Sequence, residues 1–219
     1  MKNSPKVLFE DSELCLVSKP AKQHFDELFP EDAPWKAVHR LDFETSGCLL
    51  FATEKGFEAY RELFSNQSQD AKQIKKIYLA GSTARPGPFR HGTFVEGWIL
   101  SRYRSSKKVQ FKELDAEIER LSHRTKKESE HIVEGPLPED DPRTLLARKQ
   151  LGFTGAIYQV ELLTGARHQI RAYFESLKAP LVGDPIYGTA AEESRLELHS
   201  WKLEFKSPIS GKDYSFCDE

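Results

Sequence analysis

Residues 38–53 read VHRLDFETSGCLLFAT. The second half, SGCLLFAT at 46–53, is a short and mostly apolar run with Gly47 near its head, and such a run between turn residues predicts a buried strand. The first half sets His39, Arg40, Asp42 and Glu44 at the mouth of that strand. Asp42 then has a plain reading and a chemical one. It accepts from the backbone near Thr45 in a polar turn, or it sits in a buried ion pair, or it is an ionised carboxylate available for reaction. Spacing alone leaves these about even.

Moving outward, KVLFEDSELCLVSKP reads as two short strands around an Asp-Ser-Glu turn, ended by Pro20. Residues 21–37 are irregular, with Pro30 and Pro34 breaking any helix. Beyond the central strand, Thr53 stands as a helix N-cap, and Phe57, Tyr60, Leu63 and Phe64 recur at helical spacing. Residues 74–83 read as a strand and 85–98 as a Pro/Gly-rich loop of the kind that carries binding function. Residues 104–150 are highly charged and read as an insertion, partly helical around KELDAEIERLSHR and partly an exposed loop. FTGAIYQVELLTG returns to strand. RHQIRAYFESLKAP carries Ile170, Phe174 and Leu177 at helical spacing until Pro180, and LELHSWKLEFKSP alternates like a strand. Strands and helices do not alternate regularly, so the expected class is α+β with a largely antiparallel sheet.

Composition bounds the function. The 219 residues suit one large domain or two small lobes, and no apolar run is long enough to span a bilayer. The first residues lack a signal-peptide pattern, so a cytoplasmic location is expected. Cys15, Cys48 and Cys217 have no metal spacing, and the first and second lie in apolar stretches as small hydrophobes. The formal net charge is −2, without the basic excess usual for a nucleic-acid binder. Basic residues nevertheless cluster at 101–112 and 123–127. No Gly-rich phosphate loop precedes a helix, which disfavours a nucleotide cofactor.

A second polar cluster, TGARHQIR at 164–171, lies where a strand meets a helix. Helical spacing would set Arg167 and Arg171 one turn apart on a shared face, with His168 beside Arg171. An arginine meeting Asp42 would keep that carboxylate ionised. His39, His168 and His199 with Asp42 form a minor metal-ligand set, unsupported by any metal-binding motif, and a metal-dependent hydrolase would use His39, Asp42 and His168. Tyr78, in KKIYLA, reads first as a core tyrosine, and Gly183 and Asp184, in LVGDPIYG, as a structural turn.

Taken in order, VLFEDSELCLVSKPA, VHRLDFETSGCLLFA, KKIYLA, TGARHQIR, APLVGDPIYG and LELHSWKLEFKSPISGK resemble the successive motifs of the RluA-type family of RNA pseudouridine synthases. The resemblance implies one catalytic domain, expected over residues 1–219; the charged insertion at about 104–150 is not explained by it, and the expected lack of a separate N-terminal RNA-binding module departs from the pattern. It implies an α+β fold with a long bent mixed sheet and a central cleft. The implied activity is the isomerisation of uridine to pseudouridine in structured RNA, tRNA or rRNA, by a monomer without cofactor or metal. Carried over by position, Asp42 is the catalytic carboxylate, Arg171 its partner, and Tyr78 the base platform and a candidate to assist removal of the proton from uracil C5. Arg40 holds the RNA after the nucleotide flips, Leu181 or Val182 forms an apolar wall, and Arg167 and His168 contact substrate. The sequence departs from the family pattern at Ala166, where arginine is usual, and at Tyr173, where histidine is frequent. RNA contact is expected through a local basic surface that includes Arg102, Arg104, Lys107 and Lys108. Two other readings are a catalytically idle RNA-binding module of the same fold and a metal-dependent hydrolase.

Overall fold

The computed structural model describes residues 5–65, 74–87, 89–101, 106–114, 125–189 and 194–219. The chain divides into two compact units, residues 1–78 with 199–219, and residues 79–198. Strands dominate both and helices are few, so the α+β class expected from the sequence is the one observed.

In the first unit, β1 (Lys6–Glu10) and β2 (Leu14–Lys19) pair antiparallel, and β2 pairs antiparallel with β4 (Ser46–Thr53). The other edge of β4 is shared. β3 (Trp35–Ala37) runs antiparallel beside Phe51–Thr53, and β10 (Leu198–Lys206) runs parallel beside Ser46 and Gly47. β11 (Asp213–Cys217) closes on β10. Leu14 to Val17 and Ser46 to Ala52 are all buried, which is why both runs lack the alternation of a half-exposed strand. Helix α1 (Glu54–Phe64) starts after Thr53, which occupies the N-cap position without a side-chain bond, and buries Tyr60, Leu63 and Phe64. Those rings join Leu14, Leu16, Leu50, Leu203 and Phe205 in the core. Truncating such a leucine to alanine costs about 2–5 kcal/mol.

In the second unit, β7 (Gln110–Glu113), β6 (Phe89–Ser101), β8 (Thr125–Gly135) and β9 (Ala156–Leu162) form an antiparallel series in that spatial order. Helix α2 (Pro142–Lys149) begins with Pro142 behind Asp141, whose side chain accepts from the Arg143 N–H at 2.8 Å. Helix α3 (Gln169–Ser176) lies against β7. Strand β5 (Lys75–Ser82) runs through the boundary between the units.

Two expectations fail here for physical reasons. Most of 85–98 is not a loop but the start of β6. Gly92, at φ +78°, absorbs a register shift between Phe89 and Thr93, and a Cβ on Gly97 would lie 2.3 Å from the Lys112 carbonyl. The glycines therefore serve a bulge and a close backbone approach within a strand. Likewise, most of the described part of 104–150 is β7, β8 and α2, with exposed loop confined to short connections such as 138–140. β8 turns Ser129, His131 and Val133 inward, so its inner face is partly polar and its alternation is hidden in a hydropathy pattern. The helix expected around KELDAEIERLSHR falls mostly on 115–124, outside the described residues, as do Arg102 and Arg104. Cys15 and Cys48 are buried and Cys217 is exposed.

Candidate active site

The first unit presents Asp42 on a turn that the sequence builds tightly. Val38 donates its N–H to the Leu50 carbonyl at 3.0 Å, and Leu50 donates its own to His39 Nε2 at 3.2 Å. The imidazole also stacks on Phe64, 5.0 Å away and 7° from parallel. Burial, with Lys76 adding its charge, lowers the His39 pKa to about 3, against a smaller opposing bond to the Arg40 backbone. His39 is thus a neutral acceptor that fixes the chain entering the turn. A metal on Nε2 would displace the bond from Leu50. Among the described residues, no three His, Cys, Asp or Glu side chains group to hold a metal ion.

The turn closes with the Thr45 N–H donating to the Asp42 carbonyl at 3.1 Å. Arg40 is exposed, Asp42 half-buried and Thr45 buried. Gly47 then adopts φ +109°, and a Cβ there would lie 2.3 Å from the Ser200 carbonyl oxygen of β10. Only glycine allows the parallel strand to approach so closely at that backbone angle. Thr45, Ser46 and Gly47 thus shape the turn, and Ser46 Oγ lies 2.9 Å from His199 Nδ1.

Lys19 was not foreseen. Its side chain is fully buried, yet its ammonium donates to the carbonyls of Pro20 at 2.9 Å, Gln23 at 2.7 Å and Phe43 at 3.1 Å. Burial lowers its pKa to about 8, while the charges of Asp42 and Glu44 act in the opposite direction. A lysine at the end of the apolar run LCLVSK was the available signal.

Tyr78 is buried on β5. Burial raises its phenol pKa, a bond to the Ser200 side chain partly offsets this, and the Asp42 charge adds to the rise. Asp42 and Tyr78 therefore lie within electrostatic reach of each other inside one compact unit. A phenol held neutral in this way suits a platform for a base better than a proton acceptor at neutral pH.

The second unit holds Arg171, fully buried on α3. Its Nε donates to Asp184 Oδ2 at 2.9 Å and its Nη2 to Oδ1 at 2.8 Å, and neither side chain is exposed. Asp184 Oδ1 also accepts the N–H groups of Ile186 at 2.9 Å and Tyr187 at 3.0 Å. Burial alone would raise the Asp184 carboxyl, but the guanidinium and these two donors overcome it and hold it below its ordinary value. Asp184 does shape a turn, as the sequence suggests. It is also a buried counter-charge to Arg171, which sequence reasoning missed. Tyr187 accepts from the Val109 N–H at 2.9 Å, and its hydroxyl lies 3.2 Å from His168 Nδ1.

Arg167 and Arg171 do not share a face. His168 is left-handed at φ 55° and α3 starts only at Gln169, so Arg167 lies before the helix and is exposed. Its guanidinium donates to the Ser106 carbonyl. Leu181 is buried and bridges to Ser82, while Val182 is half-buried, donating its N–H to Gly81 and accepting from Glu197, both at 2.9 Å. Lys107 and Lys108 are exposed, and Lys108 pairs with Glu175 at 2.9 Å.

A sequence model of a family described as RNA pseudouridylate synthase matches residues 18–176. The ribosomal large subunit pseudouridine synthase D of Nitrosomonas europaea is 28% identical, the alignment covering 94% of this chain and 59% of that protein. An uncharacterized RNA pseudouridine synthase of Helicobacter pylori is 25% identical, covering 96% of this chain and 65% of the relative. The chain thus spans about three-fifths of the length of these relatives. The solved structure of human RNA Pseudouridylate Synthase Domain Containing 1 has a TM-score of 0.69 over 99% of this chain and 83% of that one, at 18% identity, a likeness of fold.

Proposed function

Because the chain belongs to the RNA pseudouridylate synthase family, we propose that it isomerises uridine to pseudouridine in structured RNA, tRNA or rRNA. The observation that carries this reading is the fixed turn that offers a half-buried carboxylate, Asp42, in electrostatic reach of the buried ring of Tyr78. Uracil must leave the sugar at N1, turn, and rejoin through C5. A carboxylate serves either by attacking C1′ or by removing a proton from C2′ to give a glycal. The detached base needs a flat floor, the part proposed for Tyr78, and an apolar wall, the part proposed for Leu181 and Val182. Excluding water protects the intermediate from hydrolysis.

In this reading the ionic partner of Asp42 is Arg171. It is supported by the guanidinium itself, which Asp184 grips through Nε and Nη2 and so holds to one orientation. Flipping the uridine from a stack costs on the order of a few kcal/mol. Exposed Arg40 would hold the opened RNA, and Arg167, Lys107 and Lys108 would meet phosphates, with His168 beside them. Binding would then weaken with salt. The enzyme would act as a monomer in the cytoplasm, where its RNA is.

Carbodiimide treatment and reverse transcription of RNA from deletion and parent strains test the activity. One or more stops should vanish on deletion, return with the wild-type chain, and stay absent with Asp42→Asn. Restoration by Asp42→Asn would refute the catalytic assignment, and an unchanged stop pattern on deletion would refute the activity.

A further inference from the structure

Resting on the reading just given, we infer that the exposed rings of His24 and Phe43 form a stacking shelf for an unpaired RNA base next to the target uridine. Phe43 directly follows Asp42 and is 39% exposed. His24 is exposed as well, and the two ring centroids are 4.7 Å apart with planes 44° from parallel. Single exposed apolar residues are ordinary on a surface. This pair differs in how its backbone is held.

One buried ammonium anchors both rings. Lys19 Nζ donates to the carbonyl of Gln23, the residue before His24, and to the carbonyl of Phe43 itself. A third bond to Pro20 fixes the ammonium. Two chain segments about twenty residues apart are thereby tied at one point, and each projects an aromatic ring outward from it. Rings on an anchored backbone lose little freedom when a flat partner settles on them. The rest of the turn supports an RNA partner. Exposed Arg40 lies three residues before Phe43, and exposed Lys22 two before His24, so cations for phosphates flank the rings. Every base has a π face, so such a shelf holds a neighbouring nucleotide in place without reading its identity. It would fix the strand while the uridine beside it is flipped toward Asp42.

The test uses the full chain carrying Asp42→Asn, so that nothing turns over, and a fluorescent RNA hairpin with a seven-uridine loop, read by anisotropy. Phe43→Ala and Phe43→Leu should each weaken binding about five- to thirty-fold. Phe43→Trp should bind at least as tightly as the parent. On the same hairpin with abasic loop positions, parent and Phe43→Ala should bind alike. Thermal unfolding should be unchanged in all three variants, since the ring is outside the core. The shelf is refuted if Phe43→Leu binds like the parent, if the Phe43→Ala loss persists on the abasic loop, or if the parent does not bind the uridine loop. Conversion by the chain with Asp42 intact is scored separately on cellular RNA. A converting enzyme whose Phe43→Leu variant binds normally loses the shelf and keeps the proposed activity. A chain that neither binds nor converts loses both.

Discussion

Replacing Asp184 by asparagine removes one charge from a fully buried site. In the native protein, two guanidinium N–H groups of Arg171 meet the two carboxylate oxygens at 2.9 and 2.8 Å, and both side chains are fully buried. An asparagine can keep its oxygen toward the Ile186 and Tyr187 N–H groups, but its NH2 then faces the Arg171 donors. The guanidinium loses the counter-charge that Asp184 supplies. Breaking a buried pair from one side costs about 3–5 kcal/mol. With a urea slope of about 1–3 kcal/mol/M, the unfolding midpoint should fall by roughly 1–5 M. Circular dichroism and tryptophan fluorescence would follow it. The double variant Arg171→Met, Asp184→Asn should recover at least half of the loss, because it removes both charges together and keeps an oxygen for the Ile186 and Tyr187 N–H groups. The sign with pH is also fixed. The folded Asp184 pKa is depressed, so its stabilisation is complete above the unfolded value of about 3.9 and is lost as pH falls through the folded value below it. The gap between wild type and Asp184→Asn should therefore close in acid. An Asp184→Asn midpoint equal to wild type, or a double variant as weak as the single one, would refute the reasoning.

His131 is fully buried, packs edge-on against Tyr173 at 4.5 Å, and has no hydrogen-bond partner for either ring nitrogen among the described residues. Burial lowers its pKa to about 4, so the unfolded chain takes up the proton first and stability falls as pH drops from about 6.5 toward 4. Urea midpoints should show wild type losing about 2 kcal/mol more than His131→Phe between pH 7.5 and pH 5, and equal losses would contradict the assignment. Gly47→Ala should cost at least about 3 kcal/mol, read as soluble yield and unfolding midpoint. Because the clash is with backbone atoms of Ser200, adding Ser200→Gly should not rescue it. Rescue would show that the obstacle is a side chain. Asp42→Asn should leave unfolding little changed while abolishing conversion, which separates catalysis from folding.

What the sequence made legible were segments whose burial matches their hydropathy. β2, β4 and α1 show their apolar faces directly, and the turn at Asp42 was visible from its polar residues. The site was harder to read where a residue's partner lies far along the chain. Asp184 looks like a turn residue because Gly183 and Pro185 flank it, and its second job appears only when α3 brings Arg171 to it. Lys19 looks like the polar end of a strand, and only the fold reveals three carbonyls converging on its ammonium. His39 had no assigned part until the Leu50 N–H supplied one. β8 escaped because Ser129 and His131 fill inward positions, and β6 because its glycines serve strand geometry.

The parallel contact of β10 with Ser46 and Gly47 also dictates an order of events during synthesis. The second unit is one continuous stretch, residues 79–198, whereas the first needs residues 199–219 to be whole. As the chain leaves the ribosome, the turn bearing Asp42 emerges early, but the strand against which Gly47 is fitted emerges only after the second unit. The later unit can thus complete its own pairing while the earlier one still waits. Stalled or truncated products ending before residue 199 would carry an intact second unit and a β4 that lacks its β10 partner, an edge open to pairing with another chain.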